Sequence, residues 1–214
     1  MTRPLSYATK VIDATDGEPS ELQQLSAVER AIHASLQSMR RRAEFVAGRL
    51  ALRAAIAELL GACPATLVID READGAPHLR GIERPLSISI THGRTHAYAV
   101  VAIGDEPIGV DLCDHADAPR IRRVAHRAFP REIERALVLR DDHTVRVAWA
   151  VKEAVGKALR IGLLYDAGFE RIELLAIDPP RIACASDPRS VVVSVREVDE
   201  GVLATALVSR SSAL

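Results

Sequence analysis

Three changes of hydrophobic period constrain what this chain can fold into. Apolar residues recur at helical spacing from about Ser20 to Ser38. They do so again from about Arg40 to Leu60, where Phe45, Leu52, Ile56 and Leu59 form a stripe and Gly61 marks the end. The period then shortens. Thr66 to Asp70, Leu86 to Ile90, Tyr98 to Ile103 and Ile108 to Leu112 read as strands, with a turn at Asp74-Gly75-Ala76-Pro77. From Ala118 to Leu159 the pattern is helical once more, broken at Pro130 and stopped by Gly162. Ile172 to Ile177, Val191 to Val198 and Val202 to Val208 return to strand, the last two joined across Asp199-Glu200-Gly201. Each half thus reads as helices followed by strands, and Tyr98 to Ala102 resembles Leu203 to Leu207 as matching strands of a repeat. Helices with antiparallel strands, and no βαβ alternation, give an α+β chain built as a duplicated unit. The halves are residues 1–105 and 106–214. No linker rich in Pro, Gly or Ser separates them, so one intimate pair is expected rather than two independent domains.

Composition removes several classes of function. Lys plus Arg is 28 against 29 Asp plus Glu, a net charge of -1, so the basic excess of a nucleic-acid-coating protein is missing. Aromatic residues are only 3%, which disfavours a base-stacking surface and leaves a core of Ala, Val, Leu and Ile. No apolar run approaches the roughly 18 residues of a membrane span. Met1 to Asp16 holds no apolar stretch of the secretory kind, so no secretory signal is expected there. A cytoplasmic protein is expected, and separately a monomer. Three separated cysteines, Cys63, Cys113 and Cys184, fit neither a disulfide framework nor a zinc site.

Four groups of residues could carry chemistry. In Trp149-Ala150-Val151-Lys152-Glu153-Ala154-Val155-Gly156-Lys157, three charges sit in an otherwise apolar helix, and charges in a buried helix need partners. Glu153 and Lys157 are four apart and share a face; an exposed pair of that kind is the commoner case. Gly109-Val110-Asp111-Leu112-Cys113-Asp114 places Asp111 at the end of a short apolar strand, where it could hold a metal or cap the next element. In Ser87-Ile88-Ser89-Ile90-Thr91-His92, the histidine emerges at a strand end. Arg40, Arg41 and Arg42, with Arg49 and Arg53, make the second helix basic, as either a solvated face or a phosphate cradle.

In this order the groups resemble the Sfp-type 4′-phosphopantetheinyl transferases. That family shows an Arg-rich helix ending in Gly-Arg, a G-x-P turn, an S-x-S-H strand, a G-[VI]-D-x-E strand and a W-x-x-K-E-[AS]-x-x-K helix. The counterparts are Arg42 to Arg49, Gly75-Ala76-Pro77, Ser87 to His92, Gly109 to Cys113 and Trp149 to Lys157. The resemblance spans roughly residues 20–165. It implies a pseudo-twofold α+β fold with the active site between the halves. It also implies Mg²⁺-dependent transfer of 4′-phosphopantetheine from coenzyme A to a serine of an apo acyl or peptidyl carrier protein, releasing adenosine 3′,5′-bisphosphate. Asp111 and Glu153 would hold Mg²⁺, Lys157 would contact the transferred phosphate and Lys152 would support the pyrophosphate. His92, Arg42 and Arg49 would hold the nucleotide's phosphates. The general base is left open between Glu132 and Glu134, both after Phe129, and a metal-bound water.

One position departs from the family. The D-x-E pattern reads Asp111-Leu112-Cys113, and a neutral thiol is a poor Mg²⁺ ligand. Cys113 either faces the metal, with water filling the vacancy, or is a small buried hydrophobe. It keeps a second reading open, a non-catalytic member of the fold that binds coenzyme A or a carrier protein. A Mg²⁺-dependent nucleotide hydrolase is a third reading.

Overall fold

A computed structural model describes residues 5–12, 19–162, 168–184 and 190–209. Within Met1 to Asp16, positions 1–4 and 13–16 lie outside the described residues. The chain divides into two compact units, Met1–Asp105 and Glu106–Leu214.

The first unit runs β1 (Leu5–Val11), α1 (Pro19–Gln23), α2 (Ala27–Ser35), α3 (Met39–Leu60), β2 (Val68–Arg71), β3 (Pro77–Arg80), β4 (Leu86–His92) and β5 (His96–Ile103). β5 lies between β1 and β4, antiparallel to both, with Ala99 opposite Ala8 on one side and Ile90 on the other. The long helix α3 covers one side of this sheet. Ala43, Ala47, Ala51 and Ala55 recur every fourth residue and are buried. They share a core with Leu52, Ile56, Ala97, Ala99 and Val101, and Leu86, Ile88 and Ile90 pack against it. Small side chains on that stripe let the helix lie close to the sheet.

The sequence reading of one helix from Ser20 to Ser38 is corrected here. Ser26 caps a new helix: its hydroxyl accepts from Glu29 N at 3.2 Å while Glu29 Oε2 accepts from Ser26 N at 2.7 Å. Glu29 is fully buried because its other partner is Arg53 of α3, which donates to both carboxylate oxygens at 2.9 and 2.7 Å. α2 is thereby pinned to α3. Gly61, at φ 82°, ends α3 as expected.

The second unit runs β6 (Ile108–Asp114), a 3₁₀ turn (His115–Asp117), α4 (Ala118–Arg123), α5 (Ala125–Ala128), α6 (Glu132–Val138), α7 (Asp142–Leu159), α8 (Gly168–Arg171), β7 (Ile172–Ile177), β8 (Pro180–Cys184), β9 (Ser190–Val198) and β10 (Gly201–Ser209). β10 lies between β6 and β9, antiparallel to both. α7 starts at a capping box, Asp141 with Thr144, and stops at Arg160 in the left-handed conformation, two residues before Gly162. Its apolar side joins a core with Val202, Ala204, Ala206 and Val208 of β10.

The two units repeat one plan. In each, the first strand pairs with the last, the last pairs with the one before it, and a long helix packs on the middle strand. Tyr98 and Leu203 indeed fall in these middle strands, β5 and β10. The helices-then-strands order is incomplete, however, since each unit opens with a strand. β1, β3 and β8 are the strands that the sequence pattern does not announce. No helix among the described residues is long and apolar enough to cross a membrane.

Candidate active site

Strand alternation turns Gly109, Asp111 and Cys113 to one side of β6, and that side faces α7. A Cβ on Gly109 would lie 1.9 Å from the Ala154 carbonyl oxygen and 2.8 Å from Ala158 N, so only glycine allows this approach of strand to helix. The closeness brings the long side chains of α7 to the strand end. Lys157 Nζ donates to Asp111 Oδ1 at 2.7 Å and to the Val110 carbonyl at 2.9 Å. Asp111 is largely buried while Lys157 stays exposed. Glu153, one turn before Lys157, is half-buried beside this pair. Burial and the Asp111 charge push its carboxyl up to about 7, partly offset by Lys157. Two neighbouring carboxyl groups and an exposed ammonium thus meet along one contact between β6 and α7, a donor set that could hold a cation beside a phosphate.

One cation that no motif announces joins the same stripe. Arg146 lies seven residues before Glu153 and eleven before Lys157, spacings that return to one helical face. Its Nε is buried and makes no hydrogen bond, and its charge acts on Cys113. The spacing itself was the signal that could have singled it out.

Lys152 lies elsewhere. It is fully buried, and its ammonium donates to the Ala128 carbonyl at 2.8 Å and the Phe169 carbonyl at 3.1 Å, with Glu134 Oε1 at 2.7 Å. An ammonium has three protons, and these are three acceptors. The rings of Phe129 and Phe169 lie 5.2 and 5.9 Å away. Burial pulls its pKa below the ordinary lysine value, against the pull of Glu134. The resemblance assigned Lys152 to a pyrophosphate, but in this structure it is an internal tie between α5, α6, α7 and α8. Glu134, one of the candidate bases, is the other half of that tie and also accepts from Leu174 N at 3.0 Å. Glu132 stands exposed at the start of α6.

In the first unit Arg49 is buried, with its guanidinium 4.4 Å over the Phe45 ring and 3.7 Å from Glu29. Burial draws its pKa down to about 10. Its Nε and Nη2 are buried without hydrogen bonds, which an anionic oxygen would satisfy. Arg42 donates to the Leu36 carbonyl at 2.7 Å. His92 ends β4, exposed.

Cys113 is 1% exposed and belongs to the α7–β10 core, opposite Val202 in register. It shares a side with Asp111, yet at this end of β6 that side is core. Burial and three aspartates, Asp117 first, raise its thiol pKa, so it stays protonated. Cys113→Glu should therefore lower stability by about 3 kcal/mol or more, as an unpaired carboxylate facing other acids. Denaturant melts with and without Mg²⁺ measure it. A variant as stable as the parent, with tighter Mg²⁺ dependence, would put Cys113 beside the metal instead.

Two family models match the chain, the 4′-phosphopantetheinyl transferase superfamily over residues 107–206 and the 4′-phosphopantetheinyl transferase N-terminal domain over residues 28–102. The chain belongs to the 4′-phosphopantetheinyl transferase superfamily. Membership supports phosphopantetheine transfer as the activity class. A holo-(acyl-carrier-protein) synthase from Bacillus anthracis str. Ames, in complex with CoA (3',5'-ADP), is 24% identical, with a TM-score of 0.39 over 46% of this chain and 94% of its own. The holo-[acyl-carrier-protein] synthase of Thermotoga maritima is 23% identical, with a TM-score of 0.37 over 49% and 67%. The holo-ACP-synthase of Plasmodium yoelii is 16% identical, with a TM-score of 0.38 over 49% and 99%. No curated protein matches the chain.

Proposed function

We propose that this chain is an Sfp-type phosphopantetheinyl transferase. It moves 4′-phosphopantetheine from coenzyme A to a serine hydroxyl of an apo acyl or peptidyl carrier protein, with Mg²⁺, and releases adenosine 3′,5′-bisphosphate. The observation that carries the reading is the meeting of Asp111, Glu153 and Lys157 along one contact between β6 and α7. An N-terminal-domain match and a superfamily match in tandem add support.

The donor set suits the metal. Mg²⁺ takes hard oxygens, often one or two carboxylates completed by phosphate oxygens and water. Among the described residues no three of His, Cys, Asp and Glu converge, and Asp111 and Glu153 are the two carboxylates proposed to hold the ion. Bound there, the ion would neutralise charge on the pyrophosphate and relieve the repulsion between the two carboxylates. In the transfer, the serine oxygen bonds to the phosphorus that carries pantetheine, and the bond from that phosphorus to the bridging oxygen breaks. Lys157 is the cation of this chain that would meet the charge developing on the transferred group. Arg42, Arg49 and His92 in the first unit are the proposed ligands of the nucleotide's phosphates. The serine proton goes to Glu132 or to solvent, since Glu134 is committed to Lys152.

The reading is tested by incubating the protein with coenzyme A, Mg²⁺ and several apo carrier proteins. Intact mass should show the carrier gaining the phosphopantetheine arm. Asp111→Ala and Glu153→Ala should each abolish this gain while the circular dichroism spectrum stays native. Near-normal turnover of both variants at limiting Mg²⁺ would show that the metal lies elsewhere. Binding of coenzyme A with no arm transferred to any carrier would favour the non-catalytic reading that Cys113 suggests, and phosphate release without a carrier would favour a hydrolase.

A further inference from the structure

His92 lies against α3 in a way that only a glycine in that helix permits. Leu86, Ile88, Ile90 and His92 share one side of β4, and the three aliphatic residues pack into the core beneath α3. His92 ends the row, past the edge of the core. A Cβ on Gly48 would lie 2.7 Å from His92 Nε2, 3.5 Å from His92 Cε1 and 3.1 Å from Ile90 Cγ2. The first of these is closer than non-bonded atoms tolerate. At the start of α3, Arg40 donates to the Gly93 carbonyl at 2.8 Å and the Arg94 carbonyl at 2.7 Å, holding the backbone that follows His92.

Backbone conformation does not explain this glycine. Gly48 sits inside α3 and is not among the glycines with positive φ, so alanine would fit the helix and, by propensity, favour it. Space is what excludes a side chain. The backbone of the β4–β5 turn is tied down by Arg40, so an added methyl group would have to move the imidazole rather than the strand.

We infer that Gly48 is a positioning residue whose missing side chain is the seat of the His92 imidazole. It holds the ring against α3, and the placement of the imidazole that the phosphate-binding reading needs depends on that seat. The inference rests on the phosphate-binding reading of His92 proposed above. Gly48 itself touches no substrate and acts only through the ring it seats.

Gly48→Ala, His92→Ala and the double variant test it in the full chain. Three readouts are compared: melting temperature, calorimetric affinity for coenzyme A, and the histidine ring resonances by NMR. In Gly48→Ala, melting should stay at or above the parent value, the His92 resonances should shift, and affinity should fall about tenfold, the scale of one charge-assisted hydrogen bond. The double variant should bind no worse than His92→Ala, because both changes remove one interaction. Parental affinity with unshifted resonances overturns the inference. So does a double-variant loss equal to the product of the single losses. A large drop in melting temperature with His92 unshifted also overturns it, since the helix would then have yielded instead of the ring. If His92→Ala leaves coenzyme A affinity unchanged, the phosphate reading of His92 fails, while shifted or unshifted resonances in Gly48→Ala still decide whether Gly48 seats the ring.

Discussion

Lys152→Ala should cost about 3–5 kcal/mol of folding stability, the loss expected when one partner of a buried ion pair is removed. The ammonium of Lys152 is fully buried, and its acceptors come from three separate helices, α5, α6 and α8. Without it, the Ala128 and Phe169 carbonyls lose a donor and the fully buried Glu134 loses its counter-charge. One Glu134 oxygen, Oε2, already lacks a hydrogen bond, so the carboxylate has little to fall back on. The same physics predicts a rescue. Lys152→Met combined with Glu134→Leu removes both charges and should recover most of the loss, because a buried pair contributes little beyond well-packed apolar groups. Urea denaturation of the parent, the single variant and the pair measures all of this. A Lys152→Ala protein of parental stability, impaired only in its Michaelis constant for coenzyme A, would return Lys152 to the pyrophosphate role that the family resemblance implies.

Lys157→Ala should leave the fold intact and lower turnover by roughly two orders of magnitude or more, the scale of losing one preorganised charge contact. Lys157 is exposed and carries no core packing, and its two acceptors, Asp111 and the Val110 carbonyl, both lie at the candidate metal site. Bound coenzyme A already has negative phosphates, but the transferring group spreads its charge further during reaction. A contact to that group therefore acts more on the transition state than on bound substrate. Steady-state kinetics with a saturating carrier protein separates the two effects. A raised Michaelis constant with unchanged turnover would mean that Lys157 binds the cofactor uniformly and takes no part in the chemical step.

These two lysines show how far residue order can be read. They stand five positions apart on one helix, which turns them about 140° from each other. Spacing alone therefore says that they serve different faces, but not which face meets the interior. Lys152 is internal because Ala128, Glu134 and Phe169, brought from segments 17 to 24 residues away, close around it. Arg146 was equally available to helical spacing but lacked a motif to mark it. β1 escaped the pattern for a related reason. Its side toward α3 carries Ser6, whose buried hydroxyl donates to Glu58 Oε2 at 2.7 Å, so the apolar alternation that announces a strand is missing. The break at Ser26 was legible, since Ser26 and Glu29 have capping-box spacing, but helical periodicity outweighed it.

The α+β class, the long helices α3 and α7, the strand carrying Asp111 and the motif helix with its three charges were all legible in residue order. Each follows from local periodicity, caps or residue order, which operate over a few neighbouring positions. Which of those charges lie at the candidate site follows instead from long-range packing. It buried Cys113 in the core, paired Lys152 with Glu134, set Lys157 on Asp111 and laid His92 on Gly48. In each case the partner lies far along the chain, and burial, hydrogen bonding and steric room are set by what distant segments bring together.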